Sequence, residues 1–303
     1  MLPIHHYSAK SELIARFTAR TLFSGGDPFH AMQHHTAAAS LASRGHDLSA
    51  LLTARNVRSV EKVSNPHLDA FIKPLGLTYE DGFVLAVNAG KPETRIRFSV
   101  AHELCHTFFY ELVPELKFGA HPADALEERL CNFGAGELVV PAPELVEAAA
   151  ALTPGFDSLD ELCGRFGISA EVIIIRLREL AIWPCELSVW NWSDDGFALD
   201  RCIGLKKYPW RWADTDALWK IWRKGDGARG SGRTAVYFEN GTRESFAKYI
   251  YYVARRQGNS IAALWSHSPF DCGPPPLLRA GLRRADRRLL KANHTPKAVS
   301  GLA

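Results

Sequence analysis

His102-Glu103-Leu104-Cys105-His106 is the run of this sequence whose residue types and spacing can do chemistry. Residues four apart on a helix lie one above the other, so His102 and His106 can aim imidazole nitrogens at a single ion while Glu103 projects beside them. An H-E-x-x-H run on a helix therefore pairs a zinc site with a proton acceptor. Zinc held by two imidazoles and one carboxylate keeps a fourth position for water, which the metal acidifies and a nearby carboxylate deprotonates. That is the chemistry of peptide-bond hydrolysis. Cys105 falls on a different helical face from the histidines and reads as a small buried hydrophobe rather than a ligand.

A catalytic site needs a third protein ligand, and the segment Ala123 to Leu138 offers one. Glu127 and Glu128 are adjacent, so on a helix they point about 100° apart and only one can face the ion. Glu128 is the choice, because Asn132 follows it on the same face, where an amide can hold a ligand histidine by its second ring nitrogen. Glu127 is followed instead by Cys131. The alternative is that both glutamates are solvated helix surface.

These motifs resemble those of the ImmA/IrrE metallopeptidases. Arg97-Phe98-Ser99-Val100-Ala101-His102-Glu103-Leu104-Cys105-His106 is similar to the family's R-F-[ST]-x-A-H-E-x-x-H signature. Glu128-Arg129-Leu130-Cys131-Asn132-Phe133-Gly134-Ala135-Gly136-Glu137-Leu138-Val139-Val140-Pro141 resembles its second motif, E-x-x-A-N-x-F-A-x-x-L-L-x-P. Cys131 stands where alanine is usual and Gly134 where phenylalanine is usual; neither is a proposed ligand. The resemblance implies a repressor-cleaving zinc endopeptidase with His102, His106 and Glu128 as ligands and Glu103 as base. Its implied substrate is a helix-turn-helix transcriptional repressor, whose cleavage releases stress-response or mobile-element genes.

At 303 residues the chain has room for several compact units, and its net charge of +3 is too small to imply a nucleic-acid partner. No apolar run approaches a membrane span, and the six scattered cysteines suit reduced thiols, so the expected compartment is the cytoplasm. Neither disulfide nor C-x-x-C spacing is present.

The expected architecture is α+β: a helical N-terminal cap over 1–60, a zincin-like peptidase core over 61–150, a helix-turn-helix-like segment over 151–182, a mixed α/β, GAF-like sensor domain over 183–276 and a basic tail over 277–303. In the cap, Ser11 to Phe23 and Ala37 to Ser43 read as helices separated by Gly25-Gly26-Asp27-Pro28. His30, His34 and His35 read as helix surface rather than a second metal site. Phe83 to Asn88 reads as a strand, either an edge that pairs with extended substrate or a structural core strand.

Ser158-Leu159-Asp160-Glu161 has the form of a capping box opening a helix that stops at Gly167, and Ser169 can cap the next. The spacing suits helix-turn-helix DNA binding, yet Val172-Ile173-Ile174-Ile175 suits packing better than base readout. Farther on, Glu186 to Trp190, Thr234 to Phe238 and Ser260 to Trp265 read as strands, Asn240-Gly241 as a turn and Ser245 to Arg256 as a helix. Trp210, Arg211, Trp212, Trp219 and Trp222 near Lys206 and Lys207 offer either a stacking platform for single-stranded nucleic acid or core packing. His121 and Tyr110 are the nearby candidates for an oxyanion donor.

The function implied is a zinc endopeptidase. The competing reading is a regulatory protein that binds DNA or a repressor without cutting it, its zinc closed off by Cys131 as fourth ligand, or a member of a toxin–antitoxin-like pair.

Overall fold

The structure is a computed structural model describing residues 9–21, 24–42, 47–65, 68–114, 125–183, 185–203, 210–212, 215–239, 245–266 and 269–270. It divides into two compact units, Met1–Glu147 with Glu161–Arg176 and Ala148–Asp160 with Leu177–Ala303. The helical pair expected over 151–182 is shared between them.

The first unit opens with helices α1 (Ala9–Arg20), α2 (Pro28–Ala42) and α3 (Leu48–Ala54). The Gly25-Gly26 breaker is real, both glycines having positive φ, and α2 restarts at once behind it. Asp27 accepts the Phe29 N–H at 2.9 Å as an N-cap, and Pro28 takes the first helical position, where its missing N–H costs nothing. Asn56, at φ 60°, ends α3 in the left-handed conformation that asparagine tolerates.

Strands β1 (Val57–Val63), β2 (Ala70–Pro74) and β3 (Phe83–Asn88) form a sheet of order β1-β3-β2, with β1 parallel and β2 antiparallel to β3. The continuous apolar run of β3 is explained by its central place, with Phe83, Leu85, Ala86 and Val87 all buried. Of the two readings left open for this strand, core strand is the one observed; the edges are β1 and β2.

Helices α4 (Glu93–Leu112) and α5 (Ala125–Val139) follow, then α6 (Ala142–Ala150), α7 (Phe156–Phe166) and α8 (Ala170–Glu179). α4 buries Val100, Ala101, Leu104, Cys105, Thr107, Phe108 and Phe109, which leaves the 102/103/106 face for the site. α7 starts one turn earlier than its capping box suggests, the N–H of Leu159 bonding to the carbonyl of Gly155 at 2.9 Å. The buried stripe Phe156, Leu159, Leu162 and Phe166 carries the helical pattern back past Ser158. Gly167, at φ 62°, closes α7 with an Ile168 N–H to Cys163 carbonyl bond, a Schellman ending. On α8, Ile173, Ile174 and Leu177 are fully buried and Arg176 is 2% exposed, as a packing helix requires.

The second unit contains β4 (Cys185–Ser193), β5 (Gly196–Ile203), β6 (Trp210–Trp212), α9 (Thr215–Arg223), β7 (Arg229–Glu239), β8 (Ser245–Gln257) and β9 (Ser260–Ser266). Its sheet has the order β5-β4-β9-β8-β7-β6, and every neighbouring pair is antiparallel. The helix expected over 245–256 is instead the strand β8, paired with β7 on one side and β9 on the other. Tyr249-Ile250-Tyr251-Tyr252-Val253 has the β-branched and aromatic composition that two flanking strands reward, and tertiary pairing overrides the helical reading. α9 supplies Leu218 and Ile221 to a core with Trp190, Tyr252 and Trp265.

Trp219 and Trp222 pack against Trp192 and Phe197, the nearest pair of rings 4.6 Å apart, and Arg256 lies 3.6 Å over Trp222. Packing is thus the role observed for these two tryptophans. Lys206, Lys207, the Asn240-Gly241 turn, His121, the basic tail and the side chains of 210–212 lie outside the described residues. Among the described residues no helix is long and apolar enough to cross a membrane.

α5 approaches α4 and α2 closely at Gly134, where an added Cβ would come within 2.7 Å of Cys105 Sγ and 2.9 Å of Met32. Gly134→Ala should therefore destabilise the protein, overpacking of about 1–3 kcal/mol outweighing the roughly 1 kcal/mol that alanine gains in helix propensity. Urea denaturation checks this; an unchanged or raised midpoint would mean that the two helices can part at no cost.

Candidate metal centre

α4 places His102 and His106 on one face with ring centroids 5.1 Å apart. The first turn of α5 sets Glu128 against them, Oε2 3.2 Å from His102 Nε2 and Oε1 3.7 Å from His106 Nε2. Ligand atoms of all three lie within 4.8 Å of one another, so this group is able to hold a metal ion. The histidine side chains are 15% and 12% exposed and that of Glu128 42%, which leaves the cluster open on one side.

Both imidazoles are held from behind. Asn132 Oδ1 lies 3.1 Å from His102 Nδ1, and Glu127 Oε1 lies 2.9 Å from His106 Nδ1. Each Nδ1–H donates to its oxygen, which leaves each Nε2 lone pair facing Glu128. Sequence reasoning found Asn132 and missed Glu127, which it grouped with Cys131 on another face. The signal available was chemical rather than positional: a second ligand histidine needs a second holder, and adjacent glutamates on one helix can divide those two duties.

Two imidazoles this close cannot both carry a proton at little cost. Burial and the proximity of His106 lower the pKa of His102. Burial acts the same way on His106, but its hydrogen bond to Glu127 and the surrounding carboxylates outweigh it and raise its pKa.

Glu103 Oε2 accepts the N–H of Ile72 on β2 at 3.0 Å, so the edge strand fixes this carboxylate next to the cluster. Burial raises its pKa above the ordinary 4.5, with His106 opposing in part. His102 and Glu103 face a cleft of about 330 Å³ lined also by Phe98, Asn132, Ser169 and Val172. Tyr110 lines a separate shallow pocket with Pro74, Tyr79 and Phe83.

The thiols of Cys105 and Cys131 are fully buried, and burial raises the pKa of both. Cys131 is not among the converging ligands. In the N-terminal helices, His35 packs on Phe17, bonds to Thr21 at 2.9 Å, and has its pKa lowered to about 4 by burial, while His30 faces Asp27 at 3.4 Å.

Residues 66–178 match the model of the IrrE N-terminal-like domain, peptidase M78. Over these residues the chain is similar to the ImmA/IrrE metallopeptidases. Radiation response metalloprotease IrrE of Deinococcus radiodurans is 30% identical over 158 residues, 47% of this chain and 47% of that protein. The IrrE of Deinococcus deserti is 31% identical over 107 residues, 33% of this chain and 38% of that protein. The chain thus spans less than half the length of these curated relatives. A Mycobacterium tuberculosis transcriptional regulator aligns in structure over 86% of this chain and 81% of its own, with TM-score 0.44 and 15% identity, a likeness too slight to argue from. The match covers α4, α5, β2 and every residue of the cluster, and a metallopeptidase domain of this kind implies a metal cofactor, usually zinc.

Removing the Glu127 carboxylate should weaken metal binding without abolishing it, by about 10–100-fold, the usual cost of losing the group that orients a ligand histidine. Competition of Glu127→Ala against a chelator of known affinity measures this; wild-type affinity would show that His106 does not depend on Glu127.

Proposed function

We propose that this chain is a zinc-dependent endopeptidase in which His102, His106 and Glu128 hold the metal and Glu103 is the general base. The observation that carries the reading is the convergence of two Nε2 atoms and one carboxylate, with Asn132 and Glu127 behind the rings. Two imidazoles and a carboxylate are the donor set of catalytic zinc sites, and the exposed side of Glu128 suits an open position. When bound, zinc supplies acidified water and a polarised carbonyl.

Glu103 takes the proton of the attacking water and delivers it to the leaving amine nitrogen. Its bond from Ile72 keeps the carboxylate in place through both transfers, and its raised pKa makes it a better acceptor than an exposed glutamate. Asn132 and Glu127 hold the imidazoles so that no ring must turn when the ligands engage. The edge of β2, beside Glu103, is the natural place for an extended substrate backbone to pair.

By family resemblance the substrate is a helix-turn-helix transcriptional repressor, cut within a stress-response or mobile-element circuit. We place the protein in the cytoplasm, in keeping with the free thiols of Cys105, Cys131 and Cys185. The second unit takes the sensing role of a GAF-like domain; its support is the antiparallel sheet with first and last strands side by side and α9 against it. Direct DNA binding by α8 is not favoured, given its buried isoleucines.

Glu103→Gln should keep about one zinc per chain while cleavage of candidate repressors falls by about 10²–10⁴-fold. Electrophoresis after incubation, with metal content by mass spectrometry, reads both; full activity would sink the proposed base. In the wild type, activity should fall on the acid side as Glu103 becomes protonated. Because burial raises its pKa, that loss should set in at higher pH than an exposed glutamate would give.

A further inference from the structure

The cleft of about 330 Å³ lies beside the ligand cluster. His102 and Glu103 line it beside Ala70 of β2, Phe98 of α4 and Val172 of α8, the three apolar residues of a lining that is otherwise polar. At the rim, Asp69 is held by Arg95 at 2.5 Å and Lys91 at 3.6 Å.

We propose that this cleft receives a large apolar side chain adjoining the bond to be cut, and that Val172 is its specificity-determining wall. The inference deepens the peptidase reading and rests on it. A peptide carbonyl presented to His102, His106 and Glu128 carries its neighbouring side chains within one strand residue, about 3.3 Å of rise, so one of them must enter a space that opens at His102 and Glu103. The volume lies at the small end of the roughly 300–1,000 Å³ of ligand clefts, the size for one bulky side chain and its backbone. Asp69, engaged with two cations, gives no reason to select a basic side chain, while three apolar walls favour an apolar one.

Val172 is singled out by where the walls come from. Phe98 lies one turn before His102 on the same helix, and Ala70 lies on the strand whose backbone holds Glu103, so changing either disturbs the machinery itself. Val172 belongs to another helix and is partly exposed, and it can change in size with the ligands undisturbed. The helix whose spacing suggests DNA reading thus shapes what the cleft accepts.

The test uses the full zinc-loaded chain and peptide-like hydroxamates in two series, with glycine, leucine, phenylalanine or tryptophan side chains on either side of the zinc-binding group. Calorimetry gives affinities, mass spectrometry the zinc content and thermal melting the fold. In one series, leucine or phenylalanine should bind the wild type about tenfold or more tighter than glycine, as burial of one such side chain provides. Val172→Trp should remove that preference with glycine affinity, zinc content and melting unchanged; Val172→Ala should move it towards tryptophan. Equal affinities across both series in a zinc-containing wild type, or a preference untouched by both substitutions, overturn the inference while leaving the peptidase reading standing. A chain that takes up no zinc overturns both.

Discussion

An imidazole offers a metal one nitrogen, and the group that hydrogen-bonds to the other decides which. Here each Nδ1 has its own oxygen, the Asn132 amide for His102 and the Glu127 carboxylate for His106, so both Nε2 atoms face Glu128. The rest of the first unit serves that arrangement, because both holding residues and Glu128 sit on α5 and both rings on α4. If the two helices slid by one residue, about 1.5 Å, the oxygens and the rings would lose register together.

Close packing joins these hydrogen bonds in keeping the helices in register. Gly134 lets α5 rest on Cys105, the residue between the two histidine positions on the buried side of α4, and Met32 of α2 closes the same contact. At the far end of α4, Arg55 bonds to Thr107 at 2.9 Å and Glu111 at 2.6 Å and lies 4.0 Å over Phe108. A buried guanidinium is costly unless well partnered, and these contacts tie the end of α3 to one rotational setting of α4. On the open side, β2 reaches Glu103 through the Ile72 N–H, so sheet and helix pair share the same carboxylate.

The elements set by local rules were legible in the sequence: the break at Gly25-Gly26, the strand at Phe83–Asn88, the stop at Gly167; the helix after the break starts at Pro28, well before the Ala37 expected. The ligand spacing on α4 came from helix geometry and the choice of Glu128 over its neighbour from Asn132 on the same face; ligand atoms of the three residues lie within 4.8 Å of one another. What escaped depends on residues distant in sequence. Ser245–Gln257 is a strand because β7 and β9 flank it, and Glu127 holds His106 across 21 residues. β1 and β2, seven and five residues long with mixed polar and apolar residues, carry little pattern of their own and exist as partners of β3.

The same dependence on distant partners decides what α8 does. Arg176 is 2% exposed and pairs with Glu137 of α5 at 2.7 Å, while Gln33 of α2 reaches the same carboxylate at 3.3 Å. Replacing such a pair with apolar residues can be neutral, but removing one partner strands a buried charge at about 3–5 kcal/mol, so the pair specifies an arrangement more than it adds stability. Gly136, where a Cβ would come within 2.7 Å of the Arg176 side chain, leaves room for it. With Arg176 turned inward, α8 has lost the cation that a DNA-reading face would want at that position. In exchange it is fixed on the helix that carries Glu127, Glu128 and Asn132. Four residues before Arg176, Val172 then lies at the cleft, one turn along the same face.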